Sequence, residues 1–188
     1  MDFYRPRRKW KAYLCQGDVL AGVAVLTVRE PLLLISGPEG EEVRGGISVD
    51  LSYAAEVADA FSQPEWVAAT AVASPVMVLS QTCDVQREDR AFIVVAPLLS
   101  MSEVGDGSLA AAIRNGQVYH RLHVPSVPAD QNSAGLPDSF VDLTLICSLP
   151  RSLVRAEQRI ASLSHTGYKI LVGALNCYFT RPLREDEG

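Results

Sequence analysis

Residues 75–98, which read PVMVLSQTCDVQREDRAFIVVAPL, are the stretch that decides the fold of this chain. They contain two uncharged apolar runs, residues 76–79 and residues 91–98, separated by a polar segment. Short β-branched runs that are bounded by polar residues and proline are typical of buried β-strands. We therefore expect two core strands joined by a connection, residues 80–90, which is rich in reactive groups and is the first place to look for a functional site.

The connection places the thiol of Cys83 beside the carboxylate of Asp84. Such a pair predicts a nucleophile or a metal ligand only if a base lowers the pKa of the thiol, and the candidate bases are the histidines His120, His123 and His165. A buried structural role is more common for a free cysteine. No metal-site spacing accompanies Cys83, so we expect no metal.

Three further polar side chains in the connection have hydrogen-bonding groups. They are expected either to accept backbone N–H groups, which would fix the connection, or to face a ligand: Ser80, Gln81 and Thr82. A polar connection of this length between two core strands raises the expectation of function.

The composition is that of a globular protein. The chain has 188 residues, of which 48% are hydrophobic and 21% charged, enough for about one domain with a core. No apolar stretch approaches the roughly 18–20 residues of a membrane helix, and no apolar segment follows the basic N-terminus as a secretory signal requires. The cysteines are widely separated, which favours reduced thiols and a cytoplasmic protein: Cys15, Cys83, Cys147 and Cys177.

Charge is distributed unevenly along the chain. The net charge of −5 disfavours a broad nucleic-acid-binding face. Basic residues nevertheless cluster near the N-terminus, with aromatic residues between them: Arg5, Arg7, Arg8, Lys9 and Lys11. Such a segment either grips a phosphate backbone or is a solvated terminal segment whose aromatic side chains pack on the domain, and the overall acidity favours the second interpretation.

The first half of the chain shows strand and turn signals. Gly17 and Asp18 open an apolar run at residues 19–28, where the carboxylate of Asp18 is expected to accept backbone N–H groups. Residues 32–35 and 43–49 flank a turn and predict a hairpin. Residues 53–61 favour a short helix, whereas residues 66–73 are compatible with either a helix or a strand.

The second half predicts two helices and two strands. Residues 109–114 favour a helix that Asn115 and Gly116 close. Alternation over residues 117–124 predicts a strand with His120 and His123 on opposite faces, and residues 141–149 predict another. From Tyr168 onward, an apolar stripe predicts a C-terminal helix that Ser164 or Thr166 caps and Pro182 ends.

Three pieces of this order resemble the MazF/PemK family, which is related to the CcdB toxins. They are Gly17-Asp18-Val19 at the start of a strand, residues 75–80 (PVMVLS) and residues 92–98 (FIVVAPL), and the C-terminal helix also fits. The resemblance implies a small SH3-like barrel that forms a homodimer. In the MazF branch of the family, such barrels cleave RNA without a metal or a cofactor.

The resemblance also implies functional residues and partners. Arg87, Arg90 and Ser100 would lie near an RNA-binding face, with the N-terminal basic residues assisting. The implied partners are RNA and an antitoxin-like protein or another complex subunit, within a toxin–antitoxin or antiviral defence system. Two features differ from the family, since residues 31–73 replace its first loop and Leu99 stands where the family has a hydroxyl residue.

These observations predict an α+β, β-rich fold, namely a partly open antiparallel SH3-like barrel with a helical insertion and a packed C-terminal helix. We expect a basic arm at residues 1–14, one barrel domain at 15–182 with an insertion at about 31–73, and an acidic tail at 183–188. Three functions stay open: a toxin-related ribonuclease or a relative with altered chemistry, a non-catalytic protein-binding adaptor, and a cysteine-dependent enzyme centred on Cys83 and Asp84. The sequence does not decide whether the protein is an enzyme.

Overall fold

The computed structural model describes residues 2–27, 33–35, 66–68, 70–129 and 135–180. The chain divides into two compact units, one made of residues 1–23 and 73–188 and the other of residues 24–72. In the described part of the chain, no helix has the length and apolar character needed to cross a membrane.

Nine strands form two sheets in the described residues. The larger sheet has the order β6-β7-β5-β4-β1-β9, with β8 also paired to β5, and β2 pairs with β3 in a separate sheet. The bounds are β1 Asp18–Thr27, β2 Leu33–Ile35, β3 Trp66–Ala68, β4 Thr70–Val78, β5 Phe92–Ser100, β6 Arg121–Val124, β7 Ser139–Asp142, β8 Cys147–Pro150 and β9 Arg159–Ser162.

The larger sheet is antiparallel, open and strongly curled, so it forms a half-barrel. Together with the C-terminal helix, it confirms the predicted α+β class and the partly open barrel. The two apolar runs that suggested the fold are β4 and β5, which pair with each other through Val76–Pro97 and Val78–Val95.

Strand β5 is the centre of the sheet because it pairs with three other strands. One edge of β5 pairs with β4. The other edge pairs with β8 as far as Val95 and then with β7 from Leu98 onward. Pro97 lies where the partner changes from β8 to β7. Since proline has no N–H to donate, a break in the pairing at this position leaves no unsatisfied donor.

Among the described residues, three α-helices accompany the sheet: α1 Thr82–Gln86, α2 Gly107–Arg114 and α3 His165–Phe179. Ser164 caps α3 by accepting the N–H of Gly167, as predicted. The predicted apolar stripe packs on the half-barrel, with Leu171 fully buried in the main core and Leu175 and Tyr178 partly buried against it. Asn115 caps α2, also as predicted.

One predicted strand is shorter than the sequence pattern suggested. The strand expected at 117–124 begins only at Arg121, because Gly116 has a φ of +68° and Arg121 N–H bonds to Val118 O at 3.0 Å, which makes a turn. His120 therefore precedes β6 instead of lying on it.

The strand expected at 141–149 is in fact two strands, β7 and β8. Asp142 ends β7 and caps a 3-10 turn, Leu143–Leu145, with its carboxylate accepting the Thr144 N–H at 3.0 Å. The chain therefore leaves β5 and returns to it, pairing once on each side of this turn.

Residues 66–73 were compatible with a helix or a strand, and those of them that the structure describes are extended, in β3 and in β4 from Thr70 onward. The predicted hairpin partner at 43–49, the helix at 53–61, most of the insertion and the acidic tail lie outside the described residues. So does Pro182, the predicted end of α3.

Candidate functional site

The N-terminal segment, residues 2–14, lies against β9 and the start of α3. Arg5 N–H bonds to Ser162 O at 2.9 Å, and Ser164 N–H bonds to Phe3 O at 3.0 Å, with Tyr4 forming an isolated bridge to Leu163. These bonds extend the antiparallel pairing beyond β9. The segment predicted as an arm is therefore attached to the barrel unit by backbone hydrogen bonds.

Arg159 of β9 holds the far end of this segment from inside the protein. Its side chain is 5% exposed, and its Nη1 and Nη2 donate to Tyr13 O at 3.2 Å and to Lys11 O at 2.8 Å. The guanidinium also lies 5.3 Å from the centre of the Trp10 ring. One buried cation thus binds the segment at three points.

The charge of Arg159 is balanced by Asp18 at the start of β1. Nη1 of Arg159 lies 3.0 Å from Asp18 Oδ2, which also accepts the Cys15 N–H at 2.8 Å. Burial raises the pKa of the Asp18 carboxyl, while hydrogen bonds and Arg159 oppose this effect. Asp18 therefore fixes the turn into β1, as predicted for its carboxylate, and also anchors Arg159.

We call the basic residues of this segment the basic platform: Arg5, Arg7, Arg8, Lys9 and Lys11. All except the half-buried Arg5 are exposed. Arg5 donates through Nε to Leu163 O at 2.8 Å, and Arg7 lies 5.3 Å from the centre of the Trp10 ring. Arg8, Lys9 and Lys11 have no carboxylate partner among the described residues.

The platform borders a shallow depression of about 430 Å³ at the start of α3. Arg5, Lys9, Lys11 and His165 line it, and Asp2 is the one carboxylate among its lining residues. Because most of the titratable groups around it are basic, this surface is suited to an anionic ligand.

The hydroxyl groups of the connection between β4 and β5 accept hydrogen bonds from backbone N–H groups of this protein. Ser80 Oγ accepts the Val94 N–H at 2.8 Å, and Thr82 Oγ1 accepts the Gln16 N–H at 3.1 Å. These two residues therefore fix the connection to β5 and to the turn before β1, which is one of the two roles predicted for them. Gln81 is exposed.

The cysteine in the connection is not buried, contrary to expectation. Cys83 is exposed in the first turn of the short helix α1, and its Sγ lies 3.7 Å from Gln81 Oε1. Among the described residues, no histidine makes a hydrogen bond with it. The neighbouring Asp84 faces Arg90 at 3.8 Å, so the geometry provides the thiol with no base.

The two arginines of the connection are exposed and already have acidic neighbours. Arg87 lies 3.2 Å from Asp89, and Arg90 lies 3.8 Å from Asp84. Arg151, which the sequence did not single out, fixes this region by donating to the backbone carbonyls of Val85, Arg87 and Arg90 at 2.5, 2.6 and 3.1 Å.

Ser100 lies at the opposite end of β5 from Arg87 and Arg90. A strand of nine residues spans about 26 Å along its length. The Ser100 hydroxyl shares a hydrogen bond of 2.7 Å with Ser102 Oγ. The structure therefore does not bring together the arginine and hydroxyl pair that the family resemblance implied.

A second polar cluster in the structure was not predicted from the sequence. His123 Nε2 lies 2.7 Å from Asp138 Oδ1, and Arg114 Nη2 lies 2.9 Å from Asp138 Oδ2. Burial raises the pKa of Asp138, but the hydrogen bonds from His123 and Arg114 outweigh it and hold this pKa below its ordinary value. The alternation around His123 was visible, but nothing near it in sequence indicated its partner.

Within the described residues, no group of three or more histidine, cysteine, aspartate or glutamate side chains is placed to hold a metal ion. A scan against models of known protein families finds no match to this chain, and a search of curated proteins finds none.

Proposed function

We propose that this protein is an RNA-binding relative of the MazF/PemK-like barrels that binds single-stranded RNA without cleaving it. The observation that carries this proposal is the basic platform, whose backbone is fixed by β9 and Arg159 while all of its cations except Arg5 face solvent. A fixed cluster of cations binds phosphates at a lower entropic cost than a disordered arm does.

The separation of Arg90 from Ser100 supports binding without cleavage. In-line attack on a phosphodiester needs its catalytic groups around one reacting phosphate, within hydrogen-bond reach. Groups at opposite ends of a nine-residue strand cannot share one phosphate. The resemblance to the family therefore supports the barrel and an RNA ligand, and not the reaction.

Aromatic contacts of the platform favour single strands over duplexes. The guanidinium groups of Arg7 and Arg159 each lie 5.3 Å from the centre of the Trp10 ring. Tyr13 is 44% exposed at the edge of the same segment, so its ring is accessible to an unpaired base. The overall charge of −5 confines phosphate contacts to this small area.

The number of exposed cations limits how strongly binding depends on salt. Each phosphate neutralised on a single strand contributes a slope of about −0.7 to log K against log salt. The four exposed cations of the platform thus give a slope no steeper than about −2.8.

The test is fluorescence anisotropy with a labelled 12-nucleotide oligouridine, measured from 20 to 200 mM salt. The variant Arg8→Glu/Lys9→Glu should weaken binding at least tenfold at low salt and reduce the slope by about 1.4. The matched control Arg87→Glu/Arg90→Glu reverses two exposed arginines that already have acidic neighbours, and its affinity should change less than threefold. Equal losses in both variants, or no binding by the wild type at 20 mM salt, would overturn the proposal.

A protein-binding adaptor is the second candidate, and one observation favours it. Phe92 is 61% exposed directly after the connection that Arg151 fixes. A rigid loop beside an exposed aromatic side chain is a common arrangement at protein interfaces. This function becomes the leading one if the anisotropy experiment shows no RNA binding.

A further inference from the structure

We propose that a cavity between α2, β6 and α3 binds a small anionic amphiphile, a molecule with an apolar body and a single carboxylate, sulfonate or phosphate-ester head group. The cavity has a volume of about 390 Å³, which lies within the range of roughly 300–1,000 Å³ of small-molecule pockets. This site is separate from the basic platform and does not depend on RNA binding.

The wall of the cavity is mainly apolar and comes from all three elements. Ile113 is contributed by α2 and Leu122 by β6, while α3 contributes three small or apolar side chains that follow one face of the helix, Ile170, Ala174 and Cys177. Ile170 is 45% exposed even though it is aliphatic. An apolar ligand body would cover this surface and gain the free energy of its burial.

Apart from Cys177 and Tyr119, the titratable side chains that line the cavity are the guanidinium groups of Arg114 and Arg121 and the imidazole of His123. Arg121 donates from Nε to Asp142 Oδ2 at 3.2 Å, and its terminal nitrogens meet no acceptor among the described residues. Arg114 is held through Nε and Nη2 by Asp138, which leaves Nη1 without a described acceptor. These remaining N–H groups are the donors that a carboxylate or phosphate oxygen requires.

The neighbouring carboxylates restrict the ligand to one negative charge. Asp142 faces Arg121, and Asp138 faces both Arg114 and His123. The two aspartates therefore balance the two arginines, so a head group is held by the remaining guanidinium N–H groups and not by a surplus of positive charge. A polyphosphate would place several negative charges beside Asp138 and Asp142, whereas a monoanion with an apolar body adds a single charge and matches the apolar wall.

Aromatic side chains extend the apolar surface beyond the cavity. Tyr119 lines it and stacks on Tyr178 with ring centres 6.5 Å apart. Phe179 packs edge-on against Tyr178 at 5.0 Å and is 67% exposed. This exposed cluster at the end of α3 would contact a ligand body that is longer than the cavity.

The probe for the test is 1-anilinonaphthalene-8-sulfonate, an aromatic monoanion whose fluorescence rises in apolar sites, with the uncharged N-phenyl-1-naphthylamine as its partner. Gly173→Leu should abolish saturable binding, because Gly173 lines the cavity and a Cβ there meets nothing within 4 Å, so the new side chain fills the space without a clash at its base. Arg114→Gln should weaken the sulfonate about tenfold and the neutral probe less than twofold. Arg90→Gln is the control and should change neither.

Thiol protection provides a second readout on the unmodified protein. Cys177 lines the cavity and is exposed, while Cys83 is also exposed, on α1 and outside the cavity lining. Decanoate should slow iodoacetamide labelling of Cys177 at least fivefold and leave Cys83 unchanged, whereas decanol should protect much less. Unchanged sulfonate binding in Gly173→Leu, or equal effects of decanoate on both cysteines, would overturn the proposal.

Discussion

Replacing Arg159 with methionine tests the physical basis of the basic platform. The substitution keeps an unbranched side chain of similar length but removes the cation 3.0 Å from Asp18 Oδ2. It also removes the hydrogen bonds to Lys11 O and Tyr13 O and the contact with the Trp10 ring. A single change thus leaves a buried carboxylate unpaired and releases the segment that carries the platform.

The expected loss is large because both partners are buried. Asp18 is fully buried and the Arg159 side chain is 5% exposed, so solvent screens the pair little. Removing one partner of a buried ion pair costs about 3–5 kcal/mol, mainly because the other charge stays buried and uncompensated. This is a large fraction of the roughly 5–15 kcal/mol that stabilises a typical domain.

The loss should depend on pH in a defined direction. A buried carboxyl with a raised pKa binds its proton more tightly in the folded state than in the unfolded chain, so protonation favours folding. Without Arg159 the pKa of Asp18 rises further, and the deficit should shrink as the pH falls from 7.5 toward the ordinary range of a carboxyl. Adding Asp18→Asn to Arg159→Met should recover part of the deficit at pH 7.5 for the same reason.

The assay is urea-induced unfolding followed by far-UV circular dichroism at pH 7.5 and pH 5.5. Arg155→Met, an exposed arginine four positions earlier, is the matched control and should change the unfolding free energy by less than about 0.5 kcal/mol. A deficit below about 1 kcal/mol for Arg159→Met, with no dependence on pH, would refute the assignment of Arg159 and Asp18 as a buried anchor.

Two further predictions concern α3 and the thiols. Gly167→Ala should destabilise the protein by about 1–3 kcal/mol, because a Cβ there would lie 2.4 Å from Phe3 O and displace the N-terminal segment. Gly173→Ala should instead stabilise the protein by about 0.5–1 kcal/mol in the same unfolding assay, because a Cβ at this position meets nothing within 4 Å. A neutral or stabilising Gly167→Ala would contradict the close packing. Iodoacetamide labelling at pH 7.5, followed by mass spectrometry, should modify the exposed Cys83 and Cys177 well before the half-buried Cys15 and Cys147, because burial raises the pKa of the latter two thiols. Labelling in the reverse order would contradict the placement of these cysteines.

The sequence predicts the centre of the fold because local pattern and tertiary structure agree there. The apolar runs within residues 75–98 become β4 and β5, and the apolar stripe after Tyr168 becomes part of α3. Where a turn interrupts an apolar pattern, the prediction fails. Alternation continues through residues 117–124, but the positive φ of Gly116 and the turn that follows it delay the strand to Arg121.

The candidate site was only partly predictable, because its supports are distant in sequence. The basic platform was visible from composition, but its attachment depends on Arg159, which is 141 positions from its partner Asp18. No local sequence pattern predicts a buried arginine in a short strand. Cys83 was expected to be buried from the general tendency of free cysteines, whereas it is exposed in the first turn of α1.

The most direct test of the central claim combines binding with cleavage. Purified protein is incubated with a 5′-labelled, unstructured RNA of mixed sequence in EDTA at low salt, and the same samples are analysed on native and denaturing gels. We expect a shifted complex on the native gel and intact RNA on the denaturing gel, with the shift lost in Arg8→Glu/Lys9→Glu. RNA fragments that appear with the wild type and disappear with Arg90→Ala would contradict the account, because they would show that the connection after β4 holds a working catalytic arginine.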